Sequence, residues 1–202
     1  MIIGLGHYRR VGKDTFANFL LEECAASGVK AEKGSFAYKM KQICHDLYAW
    51  AGLREPEFYE TPEGAALREV PLAFGKSPRQ IWIDMGQSVR SEVYDSTWLD
   101  YLLKKPRDGH LIIPDVRFPN EAEAIRQQGG ILIKIVREGF GPGPDVADQA
   151  LIGYQGWDYV IGGSLASLSD WAHLLALSLK GGYSFYQSNR KEYEAYETFM
   201  ES

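Results

Sequence analysis

The chain begins with the apolar run Met1-Ile2-Ile3-Gly4-Leu5 and soon reaches Gly12-Lys13-Asp14-Thr15. A helical pattern follows, in which Phe16, Phe19, Leu20 and Cys24 recur at helix spacing with Asn18, Glu22 and Glu23 between them. A short buried strand, a loop and a helix in that order leave few folds open. They put Lys13 at the helix mouth, where unpaired backbone N–H groups and the helix dipole favour an anion. A Gly-Lys pair there, followed by oxygen side chains, reads as a nucleoside triphosphate site. Lys13 would bridge the β- and γ-phosphates, and the N–H groups of residues 9–15 would wrap the β-phosphate. The plainer reading is a glycine turn with a solvated lysine, and the flanking strand and helix count against it.

The spacing departs from G-x-x-x-x-G-K-[ST]. Counting back from Gly12 reaches His7, and Gly6 stands one residue too early. His7 either hydrogen-bonds a phosphate or fills the position of the missing glycine. Asp14 stands where a hydroxyl usually faces Mg²⁺, and a carboxylate is also a hard oxygen ligand. Asp14 and Thr15 are therefore the candidate metal-facing residues.

Further along, apolar runs and helical stripes alternate. Residues 31–37 are expected to hold a second strand, and Met40, Ile43, Cys44, Leu47 and Tyr48 form a helical stripe that ends near Gly52. Residues 53–76, rich in Glu, Pro and Gly, suggest loop or short helices and a candidate mobile lid. Ser77-Pro78 starts a helix with Ile81, Trp82, Met85 and Val89 on its buried side. Thr97–Leu103 is helical, 110–115 is a strand, 120–128 is a helix closed by Gly129-Gly130, and 131–136 is a strand. A short strand at 158–161 and an apolar helix at 167–179 follow. This alternation predicts an α/β fold, with a parallel sheet flanked by helices on both faces. The polar, aromatic tail 183–202 is expected to be helical and to dock on the domain or on a second copy in a homodimer.

The length of 202 residues suits one domain over 1–182 plus that tail, and 45% apolar content can fill a core. A net charge of −5 gives no overall pull toward nucleic acid, while Arg9, Arg10 and Lys13 cluster in the loop and suit a small anion. Cys24 and Cys44 fall in helical segments as small core residues, which suits a reducing, cytoplasmic setting. No signal peptide or membrane span is expected.

Asp115 ends an apolar strand, where ligands of open parallel sheets bind. It reads as a contact to metal, to metal-bound water or to an acceptor substrate, or else as a plain turn after Pro114. Arg117 shares that edge and suits bidentate phosphate binding. Arg79, Arg90 and Arg137 are further candidates. His45, His110 and His173 lack metal-ligand spacing. Asp145 and Asp148 lie in the Gly-Pro-rich loop 139–149, where they either touch nucleotide or, as is expected, belong to a solvated loop.

Several segments, in order, resemble the deoxynucleoside monophosphate kinases of tailed phages. Arg10-Val11-Gly12-Lys13-Asp14-Thr15 is similar to their loop R-x-G-K-D-T, in which Asp follows the lysine. Phe36-Ala37-Tyr38-Lys39-Met40-Lys41 resembles F-A-x-P-[LI]-K, with Lys39 in place of proline. Arg79 to Gly86 resembles R-x-x-[LM]-Q-x-x-G, and Ser96-Thr97-Trp98 matches the tryptophan stretch after it. The most specific segment, Ile113 to Ala122, resembles the D-x-R-[FY]-x-N-E run. Ile135-Val136-Arg137 and Asp158 to Ile161 are similar to the later strands. The likeness spans about residues 1–180. The His and Ser/Thr-Glu pair frequent in that family's late loop is missing around Ala147-Asp148-Gln149-Ala150.

The resemblance implies a three-layer P-loop kinase fold and transfer of the γ-phosphoryl of ATP, with Mg²⁺, to a deoxynucleoside 5′-monophosphate. Lys13, Asp14, Asp115 and Arg117 would be catalytic. Arg9, Arg10, Val11, Gly12, Lys13, Asp14, Thr15 and Arg137 would hold ATP. Lys41, Arg79, Arg90, Asp115 and Arg117 would face the acceptor. The competing readings are a P-loop kinase of a modified base in phage DNA, a small-metabolite kinase of the same fold, and a nucleotide-binding protein without turnover.

Overall fold

The structure is a computed structural model that describes residues 1–144 and 146–181. The expectations for Asp145 and for the tail 183–202 fall outside the described residues.

The chain divides into two units, one formed by Met1–Gly34 with Pro106–Ser202 and the other by Ser35–Lys105. The first unit carries five strands: β1 (Ile2–Gly6), β2 (Ala31–Lys33), β3 (His110–Val116), β4 (Ile131–Val136) and β5 (Tyr159–Gly162). All pair in parallel, in the order β2-β3-β1-β4-β5. Its helices are α1 (Lys13–Ala26), α6 (Pro119–Gln127), α7 (Val146–Gln149) and α8 (Leu165–Lys180).

Strand periodicity assigns the two faces. Ile3 and Leu5 of β1, Ile112, Ile133, Ile135 and Ile161 point to one side and pack with Phe16, Leu20 and Cys24 of α1 and with Leu168, Trp171 and Leu175 of α8. On the other side a Cβ at Gly4 would lie 2.8 Å from both Ile125 of α6 and Leu132 of β4. The sheet is thus covered by helices on both faces, a three-layer α/β fold. Because β1 is central and its neighbours β3 and β4 come much later in the chain, the loop after β1 opens at the switch point of the sheet, where ligands of such sheets bind.

The second unit holds α2 (Tyr38–Tyr48), α3 (Pro62–Leu67), α4 (Pro78–Glu92) and α5 (Thr97–Leu103), with 3₁₀ turns at Ala49–Ala51 and Phe58–Glu60. Its core joins Met40, Cys44, Leu53, Tyr59, Ile81, Trp82 and Trp98. Ser77 caps α4 by accepting from the Gln80 N–H, with Pro78 in the first turn. The segment 53–76 consists of short helical pieces anchored by buried Leu53 and Tyr59. Both cysteines are buried and free. No helix among the described residues is long and apolar enough to cross a membrane.

One element is shorter than its sequence suggests. Strand β2 stops at Lys33, and pairing ends with the Gly34 N–H donating to the Ile112 carbonyl at 2.8 Å. Residues 35–37 turn instead into α2, with the Ser35 hydroxyl accepting from the Ala37 N–H. Local hydrogen bonding of this kind competes with a strand ladder.

Candidate active site

The loop between β1 and α1 curls through three left-handed residues, His7 (φ 95°), Arg10 (φ 62°) and Gly12 (φ 105°). Glycine is the residue suited to that region, so His7 takes the conformation that the missing glycine would adopt with less strain. A Cβ on Gly12 would also come within 2.9 Å of Leu168. Val11 is buried in the core, so it can offer a ligand only its backbone.

Lys13 is 8% exposed. Its ammonium donates to the His7 carbonyl at 3.0 Å and to the Tyr8 carbonyl. The loop is therefore wrapped around its own lysine. Burial pulls that ammonium down to about 8, and nearby Arg117 adds to the pull. The carboxylates of Asp14, Asp148 and Asp115 oppose the shift. His7 is held down to about 3 by burial and then by Lys134 and Lys13, so it is neutral at ordinary pH. Its ring packs against Tyr8 and meets Trp157 edge-on, with ring centroids 6.5 Å apart.

Gly6 pairs with Val116, which sets the start of the loop beside the end of β3. Asp115 and Arg117 both act electrostatically on the Lys13 ammonium. Glu121 fixes the turn between them and α6: its buried carboxylate accepts from the Arg117 N–H at 2.7 Å and from the Phe118 N–H at 3.1 Å. Asp14 is exposed, and its carboxylate lies 2.8 Å from Lys33 Nζ. Arg10 is exposed. Arg137 follows β4 at the same sheet edge, with its guanidinium 5.0 Å over the Phe140 ring. Among the described residues no group of three or more His, Cys, Asp or Glu is placed to hold a metal. Asp14 and the adjoining Thr15 offer oxygen donors in the first turn of α1. Mg²⁺ usually takes only one or two protein oxygens besides phosphate and water, so the pair fits such an ion.

Asp148 overturns an expectation. It is not in a solvated loop: its side chain is 2% exposed, 3.3 Å from Arg117 Nη1 and 3.8 Å from Arg9 Nε. The local sequence has no periodicity that signals this burial.

The other expected residues belong to the second unit. Lys41 lies 3.2 Å from Glu60 and its ammonium sits 5.0 Å over the Trp82 ring. Arg79 lies 3.3 Å from Glu69, and Arg90 is exposed in the last turn of α4. A concavity of about 340 Å³, lined in part by Lys30, Glu32, Arg107 and His110, lies at the amino ends of β2 and β3. Parallel sheets seat ligands at the opposite edge, so the loop edge is the candidate site.

No protein-family model matches the chain. Two solved shikimate kinases show a distant likeness. The enzyme from Aquifex aeolicus is 13% identical with a TM-score of 0.39, covering 90% of this chain and 97% of that one. The enzyme from Bacteroides thetaiotaomicron is 14% identical with a TM-score of 0.27, covering 94% and 83%. A mimivirus protein from Acanthamoeba polyphaga mimivirus, described as "Putative deoxynucleotide monophosphate kinase", is 31% identical over 156 residues, 69% of this chain and 75% of its own. With that relationship, and with a lysine-centred loop at the switch point of a parallel sheet, the chain belongs to the mimivirus protein's family and is a kinase of the P-loop type.

Proposed function

We propose that this kinase transfers the γ-phosphoryl of ATP to a deoxynucleoside 5′-monophosphate, giving the diphosphate and ADP. The observation that carries the reading is the buried Lys13 ammonium, held by its own loop beside Asp115 and Arg117. The name of the 31% identical relative supports the acceptor class. The loop Arg10-Val11-Gly12-Lys13-Asp14-Thr15 supports a place in the tailed-phage branch.

In this reading the triphosphate displaces the loop carbonyls from Lys13, and the ammonium moves its hydrogen bonds to the phosphate oxygens. Arg9, Arg10, the backbone of Val11 and Gly12, and Arg137 neutralise the donor. Asp14 and Thr15 would hold Mg²⁺, which supplies charge neutralisation on the phosphates when bound. An oxygen of the acceptor phosphate forms the new bond to the γ-phosphorus as the bond to the β-phosphate bridging oxygen breaks. The acceptor is already ionised near neutral pH, with a second pKa of ~6, so no general base is needed. Arg117 carries charge on the moving phosphoryl, and Lys41, Arg79 and Arg90 are the acceptor-side cations.

The test is ADP release from Mg²⁺-ATP with each deoxynucleoside monophosphate in turn, with Lys13→Ala as control. Turnover that depends on one or a few of these acceptors supports the reading and names the base. Turnover only with DNA would replace it with a polymer-modifying kinase. ATP binding without any turnover would replace it with a nucleotide sensor.

A further inference from the structure

Asp148 is a buried charge with no part in the phosphoryl transfer described above, its side chain being 2% exposed. A carboxylate so enclosed is costly unless cations pair with it, and here two do so from separate elements. Oδ1 lies 3.3 Å from Arg117 Nη1, just after β3, and Oδ2 lies 3.8 Å from Arg9 Nε, in the phosphate loop. The chain also closes on this carboxylate from behind. A Cβ at Gly143 would sit 2.4 Å from Oδ2, and the Gln149 amide donates to the Gly143 carbonyl at 3.2 Å. Arg9, Arg117 and Lys13 carry like charges and would spread apart in a site without phosphate. A buried anion between the two arginines holds them close before the substrate arrives.

We propose that Asp148 is a positioning residue, a buried clamp that sets Arg9 and Arg117 in register beside Lys13 and so aligns the phosphoryl group in transit. The proposal rests on the kinase reading above. Alignment of this kind acts on the chemical step more than on ground-state binding, because the loop and Lys13 grip the donor on their own. The electrostatics at Lys13 agree: Arg117 depresses that ammonium and Asp148 supports it.

Two variants separate the clamp from a merely structural ion pair. Asp148→Asn removes the charge and keeps the shape. Gly143→Ala keeps the charge and pushes it aside, at a backbone position outside the left-handed region. With Mg²⁺-ATP and the best deoxynucleoside monophosphate, kcat should fall on the order of 100-fold in Asp148→Asn and about tenfold in Gly143→Ala. The Kd for ATP should change less than about threefold in both, since the loop and Lys13 remain. Slowly exchanging guanidinium N–H signals of Arg117, whose Nη1 donates to Asp148 Oδ1 at 3.3 Å, should broaden or vanish in both variants. If Asp148→Asn does not fold, Gly143→Ala carries the test. Wild-type kcat in the variants would overturn the clamp, as would parallel losses of kcat and ATP affinity. If the wild-type protein turns over no deoxynucleoside monophosphate, the kinase reading fails, and the arginine signals still decide the clamp: unchanged signals in the variants overturn it.

Discussion

The cations of the two units are neutralised in different ways. In the first unit Arg9 and Arg117 share Asp148, whose side chain is 2% exposed, and the Lys13 ammonium is capped by loop carbonyls. In the second unit Lys41 pairs with Glu60 and Arg79 with Glu69, carboxylates that are 64% and 66% exposed. An exposed pair contributes little and exchanges readily with a competing anion. A buried pair is costly to break, so it fixes geometry. The cations of the first unit are thus held in fixed geometry, and those of the second by exchangeable partners.

Lys13→Ala should break the first unit's chemistry most severely, lowering turnover by about 10²–10³-fold while thermal unfolding stays cooperative. Near-normal turnover of that variant would move the donor site away from the loop.

Arg117→Ala comes next. It should lower transfer or acceptor affinity by more than it lowers ATP affinity. It also leaves Asp148 buried beside a more distant arginine, which should cost about 1–3 kcal/mol in urea unfolding, discounted because Arg117 is itself partly exposed. Unchanged stability would mean that the buried carboxylate does not depend on its nearer partner.

The pH profile sharpens the picture at Lys13. Its ammonium is held down to about 8 in the fold, so it loses its proton as pH rises through that value. The profile of kcat/KM, which reports the free enzyme, should fall above about pH 8. The profile of kcat should fall later, because bound triphosphate favours the charged form. Stability has the opposite sign: a depressed lysine opposes folding below about pH 8, and that opposition fades as pH rises toward the ordinary lysine value. A flat kcat/KM profile to pH 10 would show that Lys13 stays charged.

The smallest effect is expected at Glu60→Gln. Stability should change by about 1 kcal/mol or less, and the KM for the acceptor should stay the same or fall as Lys41 and Arg68 are released. A larger loss of stability would make that exposed pair as important as the buried one and remove the contrast between the units.

Local pattern carried far in this chain. The capped start of α4 at Ser77-Pro78, the apolar stripes of α1 and α8, and the strands at 110–116 and 131–136 each follow from side-chain periodicity or from a start signal within a few residues. The apolar strand through Asp115 puts Asp115 and Arg117 at the same sheet edge as the loop, and both act electrostatically on Lys13. Three features were less legible. Residues 35–37 read as strand but turn, because Ser35 offers the backbone a local partner. His7 reads as a defect in the loop, yet it takes the glycine conformation with a neutral, packed ring. Asp148 reads as solvated because its neighbours are Gly, Pro and polar residues.

The sequence by itself determined the elements, the strand–loop–helix around Lys13, and the sheet edge that Asp115 and Arg117 share with it. These depend on interactions within one or two turns of chain. Only the tertiary structure decided which charges meet. Arg9, Arg117 and Asp148 are far apart in sequence, and whether a carboxylate is solvated or buried between two guanidinium groups depends on what the fold packs around it.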